Sequence, residues 1–175
     1  MKVEPRRRRL EKGAARDRDD SRVCLWLRNE AGRKGVPVLR TFERWLAAIP
    51  ELEQRPGWTE LNILIVGRAA GRRYNRQFRG RDYATNVLSF PYEPAPGEHS
   101  GLLGDLVICA PVVAREAREQ GKDARDHFAH MTIHGVLHLL GYDHEDERDA
   151  ERMEALETHI LAGLGIVDPY RHDAT

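Results

Sequence analysis

Short apolar runs alternate along the chain with stretches in which apolar residues recur every three or four positions. The continuous runs are typical of buried strands, and the spaced positions are typical of helices with one buried face. The runs predict β-strands at residues 23–27, 61–66, 86–92 and 104–110. The spaced stretches predict helices at residues 41–49, 67–77, 111–120, 123–140 and 146–164. Prolines and glycines predict connections at residues 50–57 and 94–100.

The order of these elements predicts the fold class. Four strands interspersed with helices, and then a run of helices, indicate a single α+β domain. We expect a mixed sheet of about four strands packed with about five helices, in a domain that spans residues 21–170. Residues 1–20 are polar, aperiodic and rich in arginine, which predicts a disordered basic tail that is either solvated or helps to hold an RNA backbone. Residues 171–175 are expected to form a C-terminal tail.

Composition and charge narrow the class of protein. A chain of 175 residues is long enough for one domain with a sizeable core. Its formal net charge is zero, but residues 1–81 carry 21 basic and 10 acidic side chains, whereas residues 82–175 carry 7 and 18. The basic half is therefore compatible with a nucleic-acid partner. No apolar run approaches the ~18 residues of a membrane span, so we expect no association with a membrane.

The cysteines and the start of the chain bear on the compartment. Two cysteines are too few for a disulfide framework. Cys24 and Cys109 each lie in an apolar, strand-like run, so we expect two buried free thiols in a reducing cytoplasm. The arginines at residues 6–9 are followed by Leu10 and Glu11 rather than by an apolar segment, which argues against an export signal.

Five of the eight histidines lie between residues 127 and 144. His134 and His138 are one helical turn apart, so their imidazoles share a face and can converge on one ion. Gly141 can end the helix, because glycine adopts a left-handed conformation without steric cost, and the chain can then turn back to bring His144 as a third ligand. Three nitrogen ligands with an open fourth position are typical of catalytic zinc. The sequence therefore predicts one Zn²⁺ per chain.

The surroundings of these ligands limit the chemistry. The spacing H-x3-H-x2-G-x2-H is also that of metzincin proteases, but Gly135 stands where those proteases carry a general-base glutamate, which argues against a protease. His130 lies about 12 Å from His138 along a helix axis, so these two cannot share an ion and His130 is expected to be a neighbour. Asp143 is either an acceptor for the N–H of a ligating imidazole or a helix-terminal polar residue.

Six arginines and no acidic residue occupy positions 68–81. A guanidinium group binds phosphate in bidentate geometry and keeps its charge. Arg79, in a predicted loop just before the third strand, is therefore expected to hold a scissile phosphate near the metal. Arg68, Arg72 and Arg73 are interpreted as a solvated basic helix face.

Four segments together carry a family likeness. They are FRGRD at residues 78–82, TNVLSFP at 85–91, LGDLVI at 103–108 and the histidine segment at 134–144. Through these segments the chain resembles the YbeY endoribonuclease family of bacterial rRNA maturation factors, from about residue 22 to about residue 170. Residues 1–20 lie outside the resemblance. Arg81 stands where the family commonly carries lysine, which preserves the charge.

The resemblance implies a metal-dependent endoribonuclease that is selective for single-stranded RNA. It implies action on rRNA, at the 3′ end of the small-subunit rRNA, and a role in ribosome quality control, with the small ribosomal subunit and assembly factors as partners. It also implies that Arg79 is the catalytic or substrate-orienting arginine. The zinc ligands that it implies are His134, His138 and His144. Substrate-binding roles are expected for Arg76, Arg81 and Asn86.

The mechanism that we expect is metal-assisted cleavage of a phosphodiester, in which Arg79 stabilises the charge that develops in the transition state. The sequence leaves open whether a water or the 2′-OH of the substrate is the nucleophile, and it leaves open the oligomeric state. Two alternatives remain at this point, a zinc peptidase and a non-catalytic, zinc-containing ribosome assembly factor. Because acidic residues cluster at positions 145–157, we expect RNA to bind from the arginine side.

Overall fold

The structure of the protein, a computed structural model, describes residues 23–98, 100–143 and 146–171. The two predicted tails lie outside these residues, except for Arg171. His144 lies outside them as well.

Four strands and six helices follow one another in the described residues. The strands are β1 (Val23–Asn29), β2 (Thr59–Val66), β3 (Val87–Pro91) and β4 (Leu102–Cys109). The helices are α1 (Leu39–Leu46), α2 (Pro50–Glu53), α3 (Arg68–Arg79), α4 (Ala110–Glu119), α5 (Ala124–Leu139) and α6 (Glu147–Gly163). The predicted α+β class is confirmed. None of the described helices is both long and apolar enough to cross a bilayer.

One helix, α2, is not predicted from the sequence. It lies in the segment 50–57, which the sequence predicts as a connection. It has four residues and begins at Pro50, whose fixed φ suits the first position of a helix. Four residues are too few to show a helical period, so the apolar pattern contains no signal for this element.

The sheet is mixed, with strand order β1-β2-β4-β3. β1 and β4 both pair in parallel with β2, and β3 pairs antiparallel with β4. The parallel pairs require crossover connections, which α1 and α2 supply between β1 and β2. β1 and β3 are therefore the outer strands of the sheet.

Side chains alternate along the strands and give the sheet two different faces. On one face, strand residues pack in the main core with α1 and α5: Leu61, Ile63, Ile65, Leu106 and Ile108. On the other face, a smaller cluster of strand residues packs with α3: Val66, Leu88, Val107 and Cys109. The arginine-rich helix and the histidine-bearing helix therefore lie on opposite faces of the sheet.

α5 is the central helix of the domain. The side chain of Asp123 caps its start by accepting a hydrogen bond from the backbone N–H of Arg125 at 2.7 Å. Contacts with β3, β4, α1, α4 and α6 surround the helix, and most of its residues are buried. Its end is marked by Gly141, which has a φ of +93°, as expected for a glycine that terminates a helix.

The environments of the two cysteines differ. Cys109 is buried, but the prediction of a buried thiol is wrong for Cys24, which is exposed. Leu25 and Leu27 of β1 pack against the main core, so the alternate residues Cys24 and Trp26 point to the opposite face. β1 is an outer strand, and Trp26 on this face is 62% exposed. An apolar run at a sheet edge therefore does not bury both of its faces.

Candidate metal centre

Four histidines follow one another along α5 at intervals of three or four residues. They are His127, His130, His134 and His138. Consecutive ring centroids are 5.9, 6.2 and 4.6 Å apart. The closest pair is His134 and His138, whose Nε2 atoms lie 3.2 Å from each other. The fold thus brings together two of the three side chains that the sequence predicts as metal ligands.

Hydrogen bonds determine which nitrogen of each ring carries the proton. Nδ1 of His138 lies 2.9 Å from the carbonyl oxygen of Tyr142, and Nδ1 of His134 lies 2.7 Å from Oε1 of Glu157. A carbonyl oxygen and a carboxylate oxygen only accept hydrogen bonds, so Nδ1 is the donor in both rings. In a neutral imidazole the other nitrogen, Nε2, then carries a lone pair. Two lone pairs therefore face each other, an arrangement that a shared cation stabilises.

The spacing of these nitrogens fits a zinc ion. With Zn–N bonds of about 2.0–2.1 Å and tetrahedral angles, two nitrogens on one ion lie roughly 3.3–3.4 Å apart. The 3.2 Å between the Nε2 atoms of His134 and His138 agrees with that value. Both side chains are half-buried. Because His144 lies outside the described residues, its role as the third ligand stays a prediction.

Glu157 of α6 links the histidine row to the neighbouring helix. Its side chain is fully buried and its Oε2 atom lies 3.0 Å from Nε2 of His130, in addition to the contact with His134. The hydroxyl of Tyr170 also donates a hydrogen bond to Oε2. Burial alone raises the pKa of Glu157, but the hydrogen bonds from these three groups outweigh burial and hold the pKa at about 2. Glu157 is therefore a carboxylate at neutral pH.

Sequence reasoning does not identify Glu157 as part of the site, although a signal for it exists. Glu157 lies on the same face of α6 as Met153, Ile160 and Leu161, all of which are buried. An acidic residue at a core position of an amphipathic helix requires partners in the interior. Only the packing of α6 on α5 shows that these partners are histidines.

Among the described residues, one group of three metal-ligating side chains has its ligand atoms within 4.8 Å of one another. It consists of His130, His134 and Glu157, so it shares one histidine with the facing pair. These three side chains could hold a metal ion. However, the N···O distances of 2.7 and 3.0 Å are typical of hydrogen bonds and shorter than the roughly 3.3 Å between two ligands of one tetrahedral zinc. The geometry therefore favours hydrogen bonding by Glu157 over ligation.

Asn86, predicted to bind substrate, belongs to a separate network at the start of α5. Its side-chain amide donates to Oε2 of Glu116 at 3.1 Å, and its Oδ1 atom accepts from the backbone N–H of Val87 at 2.7 Å. The other partner of Glu116 is Nε2 of His127, at 2.9 Å. These contacts place Asn86 between the start of β3 and α4. A contact between Asn86 and substrate stays a prediction.

The predicted phosphate-binding arginines lie at the C-terminal end of α3. Arg79 is the last residue of this helix, and Gly80 follows it with a φ of +67°. Arg76, Arg79 and Arg81 are exposed, and the guanidinium of Arg81 donates to the hydroxyl of Tyr83 at 3.1 Å. The expectation that Arg79 lies in a loop is corrected, because the helix extends two residues beyond its predicted end at residue 77.

A series of contacts relates the end of α3 to the end of α5. Phe78, next to Arg79, packs edge-to-face on Phe90 of β3, with ring centroids 4.9 Å apart. On β4, Gly104 lies against the carbonyl oxygen of Phe90, and a Cβ atom at Gly104 would lie 2.9 Å from Cδ2 of Leu139. Leu139 is the last residue of α5. Both helices therefore end beside the same end of β3, on opposite faces of the sheet.

Little space surrounds residue 135, the position at which proteases with this histidine spacing carry their general-base glutamate. A Cβ atom at residue 135 would lie 2.9 Å from Cδ2 of Leu106 and 3.3 Å from Oγ of Ser89. Ser89 in turn donates a hydrogen bond to the carbonyl oxygen of Gly135 at 3.2 Å. The helix face at this position is thus pressed against β3 and β4. A glutamate could be accommodated there only if Leu106 or the helix moved.

Asp143, for which two roles are predicted, is exposed beyond the end of α5. It lines a cavity of about 270 Å³ together with Tyr142, Asp149 and Arg152. The guanidinium of Arg152 lies over the ring of Tyr142, 5.5 Å from its centroid. The acceptor for the N–H of His138 is the carbonyl oxygen of Tyr142. The role of Asp143 as an acceptor for a ligating imidazole stays a prediction.

The fold and the histidine pair define an α+β protein whose central helix carries side chains that could hold a metal ion. Its basic helix α3 and its central helix α5 both end beside the C-terminal end of β3. A family model described as Endoribonuclease YbeY matches residues 28–165. The match covers most of the chain, so the protein belongs to the YbeY family of endoribonucleases. The resemblance found in its motifs is confirmed.

Individual relatives agree with this assignment. An Endoribonuclease YbeY from Alkalilimnicola ehrlichii is 59% identical over 145 residues, which are 82% of this chain and 87% of the relative. One from Halorhodospira halophila is 56% identical over 139 residues, or 78% and 89% of the two chains. The solution structure of TM1509 from Thermotoga maritima is 26% identical, with a TM-score of 0.54, covering 85% of this chain and all of that one.

Proposed function

We propose that the protein is a zinc-dependent endoribonuclease that cleaves single-stranded RNA during maturation of ribosomal RNA. In this proposal His134, His138 and His144 hold one Zn²⁺ per chain, and the 3′ end of the small-subunit rRNA is the substrate. The observation that carries it is the 3.2 Å distance between the Nε2 atoms of His134 and His138 on the central helix. Family membership supports the endoribonuclease activity.

The chemistry of the site follows from its charges. When bound, zinc supplies a Lewis acid that polarises the phosphodiester. Arg79 holds the phosphate and stabilises the negative charge that develops as the nucleophile, either a water or the 2′-OH of the substrate, bonds to phosphorus and the P–O bond to the leaving oxygen breaks. Arg76 and Arg81, exposed at the same end of α3, bind neighbouring phosphates, so that affinity falls as salt is raised. Asn86 acts at the start of β3 as a further contact to the substrate.

The crowding at Gly135 opposes the peptidase alternative, because the general base of that chemistry has no room at residue 135. The assembly-factor alternative differs from the proposal in the role of Arg79. Zinc that only stabilises the domain has no need of Arg79, whereas phosphodiester cleavage needs a positive charge to stabilise its transition state.

The test compares two site variants with two matched controls. His138→Ala is expected to lose both zinc and cleavage of single-stranded RNA. Arg79→Ala is expected to keep zinc and lose about 10²–10³-fold in the cleavage rate. The controls, exposed residues of the same types, are His159→Ala and Arg73→Ala, and both are expected to cleave at the wild-type rate. Bound zinc is measured by metal analysis, and cleavage with metal-depleted and zinc-restored protein on single-stranded and duplex RNA.

The outcomes separate the candidate functions. Cleavage by Arg79→Ala at the wild-type rate contradicts the role of this arginine. Binding of rRNA without cleavage by any preparation favours the assembly factor, and hydrolysis of peptides without cleavage of RNA favours the peptidase.

In cells we place the protein in the cytoplasm, at the small ribosomal subunit, with assembly factors as its partners and a role in ribosome quality control. Cells that carry only His138→Ala are expected to accumulate small-subunit rRNA with an extended 3′ end. Mapping of that end in mutant and wild-type cells provides the measurement. Normal 3′ ends in the mutant would contradict this substrate.

A further inference from the structure

Glu157 is a buried carboxylate with both oxygens engaged. Its side chain is 0% exposed and lies in the middle of α6, where it faces α5. Oε1 lies 2.7 Å from Nδ1 of His134. Oε2 lies 3.0 Å from Nε2 of His130 and accepts a hydrogen bond from the hydroxyl of Tyr170. A carboxylate in the interior is stable only with partners of this kind, so these three donors explain how Glu157 can be buried.

The carboxylate selects one tautomer of each imidazole. Because a carboxylate oxygen only accepts hydrogen bonds, His134 donates from Nδ1 and His130 donates from Nε2. The two rings thus use opposite nitrogens toward the same group. For His134, the consequence is that Nε2 keeps its lone pair and points toward Nε2 of His138, 3.2 Å away.

We propose that Glu157 is the positioning residue of the metal centre: its carboxylate fixes the Nδ1–H tautomer and the ring orientation of His134, so that Nε2 is presented to the metal. The proposal rests on the proposed function in one respect, in that it takes His134 and His138 as metal ligands. A carboxylate in this position also makes the imidazole a more basic ligand. His138 obtains the same orientation from the backbone carbonyl of Tyr142, which no substitution removes, so Glu157 is the partner that mutation can test.

His130 and Tyr170 hold the carboxylate in place. They occupy Oε2, so that Oε1 remains directed at His134. Tyr170 belongs to the segment after α6, which is anchored by a hydrogen bond of 2.6 Å from Nζ of Lys122 to the carbonyl oxygen of Pro169. Removing the Tyr170 hydroxyl leaves the contact with His134 intact. Its removal is therefore expected to weaken metal binding less than a change at Glu157 itself.

A rival interpretation makes Glu157 a metal ligand together with His130 and His134, whose ligand atoms lie within 4.8 Å of one another. The two interpretations predict different effects on zinc binding when Glu157 is replaced by the neutral side chain of glutamine. If Glu157 positions His134, then Glu157→Gln keeps one zinc per chain at lower affinity, and His138→Ala loses it. If Glu157 is a ligand, then Glu157→Gln and His130→Gln lose zinc, and His138→Ala keeps it.

The first measurement is the zinc affinity of the full chain, by competition with a chromophoric chelator. Glu157→Gln is expected to bind one zinc per chain about 10–100-fold more weakly than the wild type. Tyr170→Phe is expected to show a smaller loss. The matched control is Glu151→Gln, which removes an exposed carboxylate from the same helix and is expected to bind zinc as the wild type does. Unchanged affinity in Glu157→Gln would overturn the proposal.

The second measurement reads the tautomer directly, from the ¹⁵N resonances of the His134 ring. In metal-depleted protein, the wild type is expected to show the proton on Nδ1, and Glu157→Gln is expected to show a mixture of tautomers. A merely structural role for Glu157 would leave the tautomer unchanged. Should Glu157→Gln fail to fold, the wild-type spectrum and Tyr170→Phe still decide, since a proton on Nε2 of His134 in the wild type refutes the proposal. Neither readout uses RNA cleavage, so a failure of the proposed nuclease activity is seen separately.

Discussion

Substitution of Gly135 by alanine tests the close packing of the central helix on the sheet. The added Cβ atom would lie 2.9 and 3.2 Å from the two methyl groups of Leu106, and 3.3 Å from Oγ of Ser89. Leu106 is fully buried in the main core, so a shift of its methyl groups would disturb the residues packed against it. The crowding must therefore displace Leu106 or α5, or distort Ser89, which donates a hydrogen bond to the carbonyl oxygen of Gly135.

Two opposing effects determine the size of the change. Alanine is favoured over glycine within a helix by about 0.8–1 kcal/mol. Overpacking a well-packed core costs about 1–3 kcal/mol. The free energy of unfolding of Gly135→Ala is therefore expected to fall by roughly 1 kcal/mol, which for a domain of this size lowers Tm by about 2–4 °C. Because residue 135 is next to His134, the same displacement is expected to lower the zinc affinity.

The matched control is Gly163→Ala, the same substitution at the last residue of α6, where a Cβ atom meets nothing within 4 Å. This variant is expected to be as stable as the wild type or more stable by up to about 1 kcal/mol. Urea unfolding followed by circular dichroism measures both free energies. If Gly135→Ala stabilises the protein as much as Gly163→Ala does, the argument that position 135 is closed to side chains is refuted. The shortened side chain of Leu106→Val should relieve part of the crowding, so Gly135→Ala is expected to cost less in that background.

Two further predictions concern acid stability and thiol reactivity. Burial alone raises the pKa of Glu116, but hydrogen bonds from His127 and Asn86 lower it below its ordinary value of 4.5, so its stabilising contribution is present above that pH and is lost as the pH falls further. Urea unfolding between pH 6 and 3 is expected to show a shallower loss of stability in Glu116→Gln, and an equal slope would contradict the assignment. Of the two thiols, exposed Cys24 is expected to react with a thiol reagent in the folded protein and buried Cys109 only after unfolding, so Cys24→Ser should abolish the fast phase.

The strongly patterned parts of the fold were accessible from the sequence. The central helix is predicted at residues 123–140 and observed as Ala124–Leu139, because Asp123 is a good N-cap and Gly141 a good terminator. The facing of His134 and His138 follows from the same helix, since residues four apart lie on one face. Local rules suffice for both features.

The features that were missed depend on contacts between distant segments. Glu157 lies 23 residues after His134, and only the packing of α6 against α5 brings the two side chains together. Asn86 illustrates the same limit, because its amide reaches Glu116, 30 residues further along the chain. The apolar neighbours of Cys24 predict a buried thiol, but the position of β1 at the edge of the sheet exposes one face of this strand. The period of the apolar residues identifies one buried face of a strand or helix, but it does not show whether the opposite face is covered.

The basic and acidic side chains, whose formal charges sum to zero over the chain, are separated in space in this fold. The exposed arginines of α3 lie on one face of the sheet, whereas α6, with exposed acidic residues such as Glu147, Asp149 and Glu151, packs on α5 at the other. An RNA backbone that approached along α6 would meet like charges before it reached the histidine pair. The ends of α3 and α5 instead lie on opposite faces beside the same end of β3, an outer strand, so in the proposed function an RNA backbone held by the arginines would pass around that edge to the histidine pair. Arg79, the last residue of α3, stands at this edge, which is why its removal should lower cleavage while the removal of Arg73, further back on the same helix, should not.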